Sequence, residues 1–303
     1  MQLSDLIKSR ILVFGSNGML GQRLIEYLSS QKVELLASSF EDFSYNKNVD
    51  YKQCDIADRN KTKKLIFEFC PDFIINAAAY TNVDKSETER ETAWKVNVKA
   101  VEYMAESARI LDSHIIQISS DYIFDGENGP YLENASPNPI GYYGRTKLAS
   151  ENVLKLYAVK NTIIRTNVLY GPTHFGRPDF VKWVIDSLKN KNQIRIVTDQ
   201  INNPTFIDDL VKAIVRILEI SKEGTFNIGG QEFLSRFDFT LRIADYFNLD
   251  KSLIIPILTK DLNQPARRPL KSGLITIKAQ SELGYRPHSI EETFQIIKKE
   301  FNL

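Results

Sequence analysis

Apolar positions along the chain fall into a repeating pattern, a short solid run followed by a stretch in which apolar residues recur every three or four positions. Ile11 to Phe14 is the first run, and Leu20, Leu24, Ile25 and Leu28 follow it at helical spacing. Val33 to Ser38 reads as a second strand, a short strand leads to Asp55 and Ile56, and a helix is predicted from about Asp58 to Cys70. Phe73 to Ala79 is a buried-looking strand whose end, Asn76 to Ala79, is built of small residues. A long helix from about Thr88 to Leu111 carries Val96, Ala100, Val101 and Met104 on one side, and the Asn97 set among them suggests a side chain that fixes backbone. Ile115 to Ser119 and Thr162 to Thr166 are further strands, with a helix from Tyr142 between them. Solid runs suit strands covered on both faces, and their alternation with helices predicts an α/β fold, a Rossmann-type doubly wound parallel sheet.

Beyond Tyr170-Gly-Pro172 the rhythm changes: His174 to Asp179 is irregular, an amphipathic helix runs from Phe180 to Leu188, and Gly224 to Gly230 is a short strand and turn. A smaller C-terminal α/β substrate domain is expected to begin there, with the chain revisiting the first domain around Asn203 to Asp209. The expected division is 1–170 plus 200–229 for a dinucleotide-binding domain and 171–199 plus 230–303 for the substrate domain. Asp208 and Asp209 sit in a helix's first turn, where they suit its dipole better than they suit a catalytic pair, since neighbours on a helix point apart.

Candidate chemistry lies at the ends of these strands. Gly15, Gly18 and Gly21 follow the first strand as GxxGxxG. Gly15 would permit a tight turn, Gly18 a close approach of a pyrophosphate, and Gly21 close packing of helix on strand. After the second strand, where an NAD site would carry an acid for the ribose, stand Ser38 and Ser39, which favours NADP as cofactor; Glu41 and Asp42 follow closely. Ser119-Ser-Asp-Tyr-Ile-Phe-Asp-Gly126 ends the strand from Ile115, and Tyr143 and Lys147 stand four apart on the next helix, hence on one face. An ammonium beside a phenol favours the phenolate and would bring its pKa toward the working range, and Ser120 could give a substrate oxygen a second hydrogen bond. With 13 Tyr and 39 Lys+Arg, one such pair is what chance supplies, so its weight comes from context. Tyr142 has no such partner.

Composition narrows the classes. At 303 residues and 43% hydrophobic content the chain can bury a substantial core. Net charge is 39 − 38 = +1, which gives no electrostatic reason for nucleic acid or an anionic membrane as partner. No apolar run reaches bilayer length and the start lacks a signal-like apolar stretch, so a cytoplasmic protein is expected. Cys54 and Cys70 form no CxxC, which fits a reducing compartment, and His114, His174 and His288 lack zinc-site spacing, so no metal site is expected. Arg267, Arg268 and Lys271, in a Pro-flanked loop, are the cationic candidates for a substrate's phosphates.

From Ile11 to about Gly284 the chain resembles the extended short-chain dehydrogenase/reductases, and within them the dTDP-4-dehydrorhamnose reductases. The motifs that carry the resemblance are Leu12-Val-Phe-Gly-Ser-Asn-Gly-Met-Leu-Gly21, Asn76-Ala-Ala-Ala-Tyr-Thr-Asn-Val-Asp84, the Ser119–Gly126 stretch, Pro137-Asn-Pro139 with Tyr143-Gly-Arg-Thr-Lys147, Pro204-Thr-Phe206 and Arg267-Arg-Pro269. The resemblance implies hydride transfer from NAD(P)H to the C4 ketone of a nucleotide-linked 4-keto-6-deoxy sugar, with Tyr143 as acid and Lys147 and Ser120 assisting. It implies cofactor contacts at Gly15, Ser16, Gly18, Met19, Leu20, Asp55, Ile56, Ala77, Ala78, Ala79, Tyr80, Asn97, Tyr143 and Lys147, to which the glycine and strand-end readings add Gly21, Ser38 and Ser39. Substrate contacts are implied at Val83, Ser120, Asp121, Tyr122, Val168 and Arg268. Two positions depart from the reductase pattern on the substrate side: Asn167-Val168 stands where Ser-Trp is usual, and Lys271 replaces an Asn. The sugar and its nucleotide therefore stay open, as does the oligomeric state, a homodimer among the options. Other readings of the same motifs are a reductase or epimerase of another nucleotide-activated deoxysugar and a non-catalytic NADP-binding regulatory subunit.

Overall fold

Four apolar residues in a row leave strand β1 (Arg10–Phe14) no polar face, and Ile11, Leu12, Val13 and Phe14 are all inaccessible to solvent. The computed structural model describes residues 9–301. After β1 come α1 (Met19–Ser29), β2 (Glu34–Ser39), β3 (Asp50–Gln53), α2 (Arg59–Phe69), β4 (Phe73–Asn76), α3 (Arg90–Trp94), α4 (Ala100–Leu111), β5 (His114–Ser120), α5 (Tyr142–Tyr157) and β6 (Asn161–Thr166). The later elements are β7 (Leu169–Tyr170), α6 (Phe180–Lys189), β8 (Ile194–Val197), β9 (Ile201–Asn202), β10 (Thr205–Phe206), α7 (Ile207–Ile220), β11 (Gly224–Asn227), β12 (Leu234–Ser235), α8 (Arg236–Tyr246), β13 (Ile254–Ile257), α9 (Ile277–Leu283) and α10 (Ile290–Phe301).

Seven strands form one parallel sheet in the order β3-β2-β1-β4-β5-β6-β11. Period-two alternation sends Ile11 and Val13 to a core shared with α1 and α7, and Leu12 and Phe14 to a core shared with α2 and α4. The strand order reverses between β1 and β4, and such a reversal opens a crevice beyond the carboxyl ends of the strands. Short pairs complete the fold: β8 with β13 and β7 with β10 in parallel, β9 with β12 antiparallel.

Two elements depart from the sequence expectation. The strand read as 73–79 leaves the ladder after Asn76, where the Asn76 carboxamide oxygen accepts the Ala78 N–H at 3.2 Å. The helix read as continuous over 88–111 contains a π turn at Lys95–Lys99. Asn97, 2% exposed within that turn, is the reason visible in the packing: its Oδ1 accepts the Tyr80 N–H at 2.7 Å, and its Nδ2 donates to Thr146 Oγ1 at 2.9 Å and to the Tyr80 carbonyl. A buried carboxamide satisfied on both ends thus joins the chain after β4 to α5.

Candidate active site at the carboxyl edge of the sheet

The β1–α1 turn forms one side of the crevice. Gly15 adopts φ +78°, and a Cβ there would lie 2.6 Å from the Ala78 nitrogen, so the turn presses against the segment after β4 and tolerates no side chain. A Cβ on Gly21 would fall 2.1 Å from the Gly15 carbonyl oxygen. Gly18, exposed at the start of α1, caps the helix with no side chain, which leaves the first-turn N–H groups open to an anion. The Ser16 and Ser38 hydroxyls are buried without a hydrogen-bond partner. Ser39 Oγ accepts the Asn17 N–H at 3.0 Å, tying the end of β2 to the turn. Beside the turn lies a 320 Å³ cavity whose lining includes Ser39, Asp55, Ile56, Ala78, Ala79 and Tyr80. An orphaned hydroxyl, a side-chain-free turn and an uncapped helix start are the donor set a dinucleotide's pyrophosphate requires.

Helix α5 packs along β5 and brings three residues against the strand's end. Lys147, 3% exposed, donates from Nζ to the Ile118 carbonyl at 2.6 Å. One turn further, Glu151 Oε1 accepts the Ser119 hydroxyl at 2.5 Å and pairs with Arg165 of β6 at 2.8 Å, both side chains buried. One turn earlier, Tyr143 neighbours Ser120 and meets Tyr122 edge-on at 5.8 Å. Desolvation holds Lys147 down at about 8, with the Glu151 charge opposing. The Tyr143 phenol is raised by desolvation and by the nearby Asp121 and Tyr122, against the Ser120 hydrogen bond. That differs from the expected lowering by Lys147, because burial disfavours the phenolate, the Asp121 charge adds to it, and the ammonium is turned to a backbone carbonyl. Tyr142 lies apart, its ring under the Arg90 guanidinium at 5.1 Å.

Asp121 is buried, with Oδ1 accepting the Ser120 hydroxyl at 2.9 Å and Oδ2 accepting Ser272 at 2.5 Å. Desolvation pushes it up to about 6, with Ser272, Ser120 and the Arg236 charge opposing. Next to Tyr122 opens a second cavity of 530 Å³, lined by Arg177, Arg195, Arg236 and Arg268 together with Phe180 and Trp183. Arg236 stacks on the Phe180 ring at 4.6 Å, and Arg268 forms a forked pair with Asp84 at 2.6 and 2.7 Å. Four guanidinium groups and two aromatic rings suit an anion carrying a flat ring.

The family model of the RmlD substrate binding domain matches residues 9–302. The chain belongs to that family. A dTDP-4-dehydrorhamnose reductase of Aggregatibacter actinomycetemcomitans is 32% identical over 303 residues, spanning 96% of this chain and 98% of that protein. The dTDP-4-dehydrorhamnose reductase of Bacillus anthracis, solved in complex with NADP, superimposes with a TM-score of 0.85 at 30% identity, covering 97% of this chain and 99% of that one. Methionine adenosyltransferase 2 subunit beta of Bos taurus is 30% identical over 271 residues, 88% of this chain and 80% of that one.

For this member of the RmlD family, the structure gathers Ser120, Tyr143, Lys147, Asp121 and Tyr122 at one end of β5 and sets the glycine turn across the crevice. Met19 and Leu20 open α1, and Ala77 follows β4 with its N–H on the Phe14 carbonyl. Val168, between β6 and β7, adopts φ +25° and its carbonyl accepts the Thr205 N–H at 3.2 Å. Among the described residues lining the second cavity, Tyr122 and Arg268 appear and Val83 and Val168 do not. Sequence reading missed Arg177, Arg195, Arg236 and Ser272, which come from two loops, strand β8 and the start of α8 with no common spacing. It also missed Phe40, Cys54 and Val96 around the first cavity. Asp208 and Asp209 are engaged elsewhere, with Arg23 at 2.8 Å and His288 at 2.6 Å.

Proposed function

We propose that the protein is an oxidoreductase that uses NADPH to reduce the C4 ketone of a dTDP-4-keto-6-deoxy sugar, of the kind named by its dTDP-4-dehydrorhamnose reductase relatives. The observation that carries this reading is the convergence of Ser120, Tyr143 and Lys147 between a side-chain-free anion turn and an arginine-lined cavity. NADPH, when bound, supplies the hydride. Ser16, Ser38, Ser39 and the α1 start would hold its phosphates and adenosine ribose, with the ring end directed to Lys147 and Tyr143. The neutral serines at the end of β2 support NADP over NAD.

Tyr143 gives its phenolic proton to the ketone oxygen as that oxygen gains charge, and Ser120 steadies the same oxygen with a hydrogen bond. The raised phenol pKa keeps that proton in place at neutral pH, as an acid in the reductive direction needs. Lys147, fixed by the Ile118 carbonyl, presents its remaining N–H donors to the cofactor ribose. Arg177, Arg195 and Arg236 would receive the diphosphate, and Phe180 and Trp183 the base. Similarity to methionine adenosyltransferase 2 subunit beta supports a second reading, a subunit that binds the dinucleotide without turnover. Incubating purified protein with dTDP-4-dehydrorhamnose and NADPH, and following NADPH absorbance, separates the two. Sustained oxidation is expected; none with any 4-keto nucleotide sugar would leave the subunit reading.

A further inference from the structure

Asp121 sits at the end of a buried chain of hydroxyls, and counting protons along that chain gives it a task. A hydroxyl has one proton to donate and two lone pairs to accept with. Ser120 Oγ donates to Asp121 Oδ1 at 2.9 Å and accepts the Tyr122 N–H at 3.2 Å, which leaves one lone pair, and Tyr143 is its neighbour. Asp121 Oδ2 is held by the Ser272 hydroxyl at 2.5 Å. While Asp121 is a carboxylate, it draws the Ser120 proton, which then points away from a ketone. Once Asp121 carries a proton, its O–H donates to Ser120 Oγ, whose lone pairs are then filled by Asp121 and the Tyr122 N–H. The Ser120 proton is released toward the substrate oxygen. Resting on the reductase reading above, we infer that Asp121 is a positioning residue whose protonation turns the Ser120 hydroxyl toward the ketone beside Tyr143, with Ser272 setting where that switch lies.

No proton passes from Asp121 to the substrate; the carboxyl acts by direction alone. The charged and titratable groups around it are Arg236 of α8, Tyr122 beside it, Tyr143 of α5, and the Arg268–Asp84 pair beyond Tyr122. Burial raises the carboxyl to about 6 and so places the switch in a range enzymes experience. Lys147 titrates separately near 8. Asp121 is 2% exposed and Ser272 2%, so solvent does not compete for either contact.

The test is the pH dependence of kcat with NADPH and dTDP-4-dehydrorhamnose. Wild-type turnover should fall as pH rises through a limb near 6, by roughly 100-fold for the loss of one donor, with a separate limb near 8 from Lys147. In D121N the carboxamide copies the protonated acid, with N–H toward Ser120 and C=O toward Ser272, so the lower limb should vanish while the limb near 8 persists. Ser272→Ala removes a hydrogen bond that favours the carboxylate, so it should move the lower limb to higher pH. A limb retained in D121N, or one that S272A leaves in place or moves downward, would overturn the inference. Should D121N fail to fold, S272A alone decides. A wild type inactive at every pH sinks the reductase reading and the switch with it, whereas an active wild type with an unmoved limb sinks only the switch.

Discussion

Tyr143 and Lys147 stand one turn apart on α5, yet their surroundings act on them in opposite senses. Desolvation disfavours the charged form of each, so the phenol is raised and the ammonium lowered, to about 8 in the case of Lys147. A phenol that keeps its proton and an ammonium still charged at neutral pH are the states in which a proton can be given and a ribose held. Tyr143→Phe removes the transferable proton and leaves the packing against Tyr122, so turnover should drop by about 10²–10⁴-fold while NADPH binding, read by fluorescence titration, stays within a fewfold of wild type. An unchanged rate would show that another group is the acid.

At the scale of elements, the site depends on how α5 lies against β5. Tyr143, Lys147 and Glu151 form one face of the helix, and they meet Ser120, Ile118 and Ser119 of the strand in that order. The Glu151–Arg165 pair is the anchor of that register, with Arg165 Nε and Nη2 both donating to the carboxylate and Nη1 to the Glu133 carbonyl. Exposed pairs such as Arg10–Glu34 are worth little, but breaking a buried pair strands a charge. Glu151→Ala should therefore lower unfolding free energy in urea by about 3–5 kcal/mol, whereas Glu34→Ala should change it by less than ~1 kcal/mol. Equal effects from the two would mean that the register is fixed elsewhere.

Across the whole molecule, the proposed catalytic residues lie on β5 and α5, and all four arginines lining the second cavity belong to the chain after β7. Ser272 and Arg268 bring the two together, the first through Asp121 and the second through Asp84. Asp84 is held below the usual carboxylate range, chiefly by its hydrogen bond from Arg268. On the proposed reading, removing a cation from the second cavity while leaving Ser120 and Tyr143 in place should act on binding. Arg236→Ala is expected to raise KM for dTDP-4-dehydrorhamnose by about 10- to 150-fold, the equivalent of one charged hydrogen bond of about 1.5–3 kcal/mol, with a smaller change in kcat. A kcat loss at unchanged KM would place Arg236 with the chemistry instead.

The sequence by itself determined whatever depends on local pattern. Short apolar runs marked β1, β4, β5 and β6, because a strand covered on both faces places apolar residues side by side along the chain. The glycine spacing marked the turn between β1 and α1, and the interval of four put Tyr143 and Lys147 on one face. Only the tertiary structure decided what depends on distance in space. Asn97 opened a π turn because its carboxamide found Tyr80 and Thr146. Arg177, Arg195 and Arg236 became neighbours because a loop, strand β8 and the start of α8 meet around one cavity, and no spacing along the chain records that. Burial and the 151-residue separation between Asp121 and Ser272 lie likewise beyond a linear reading, since proximity and desolvation are properties of the packed molecule.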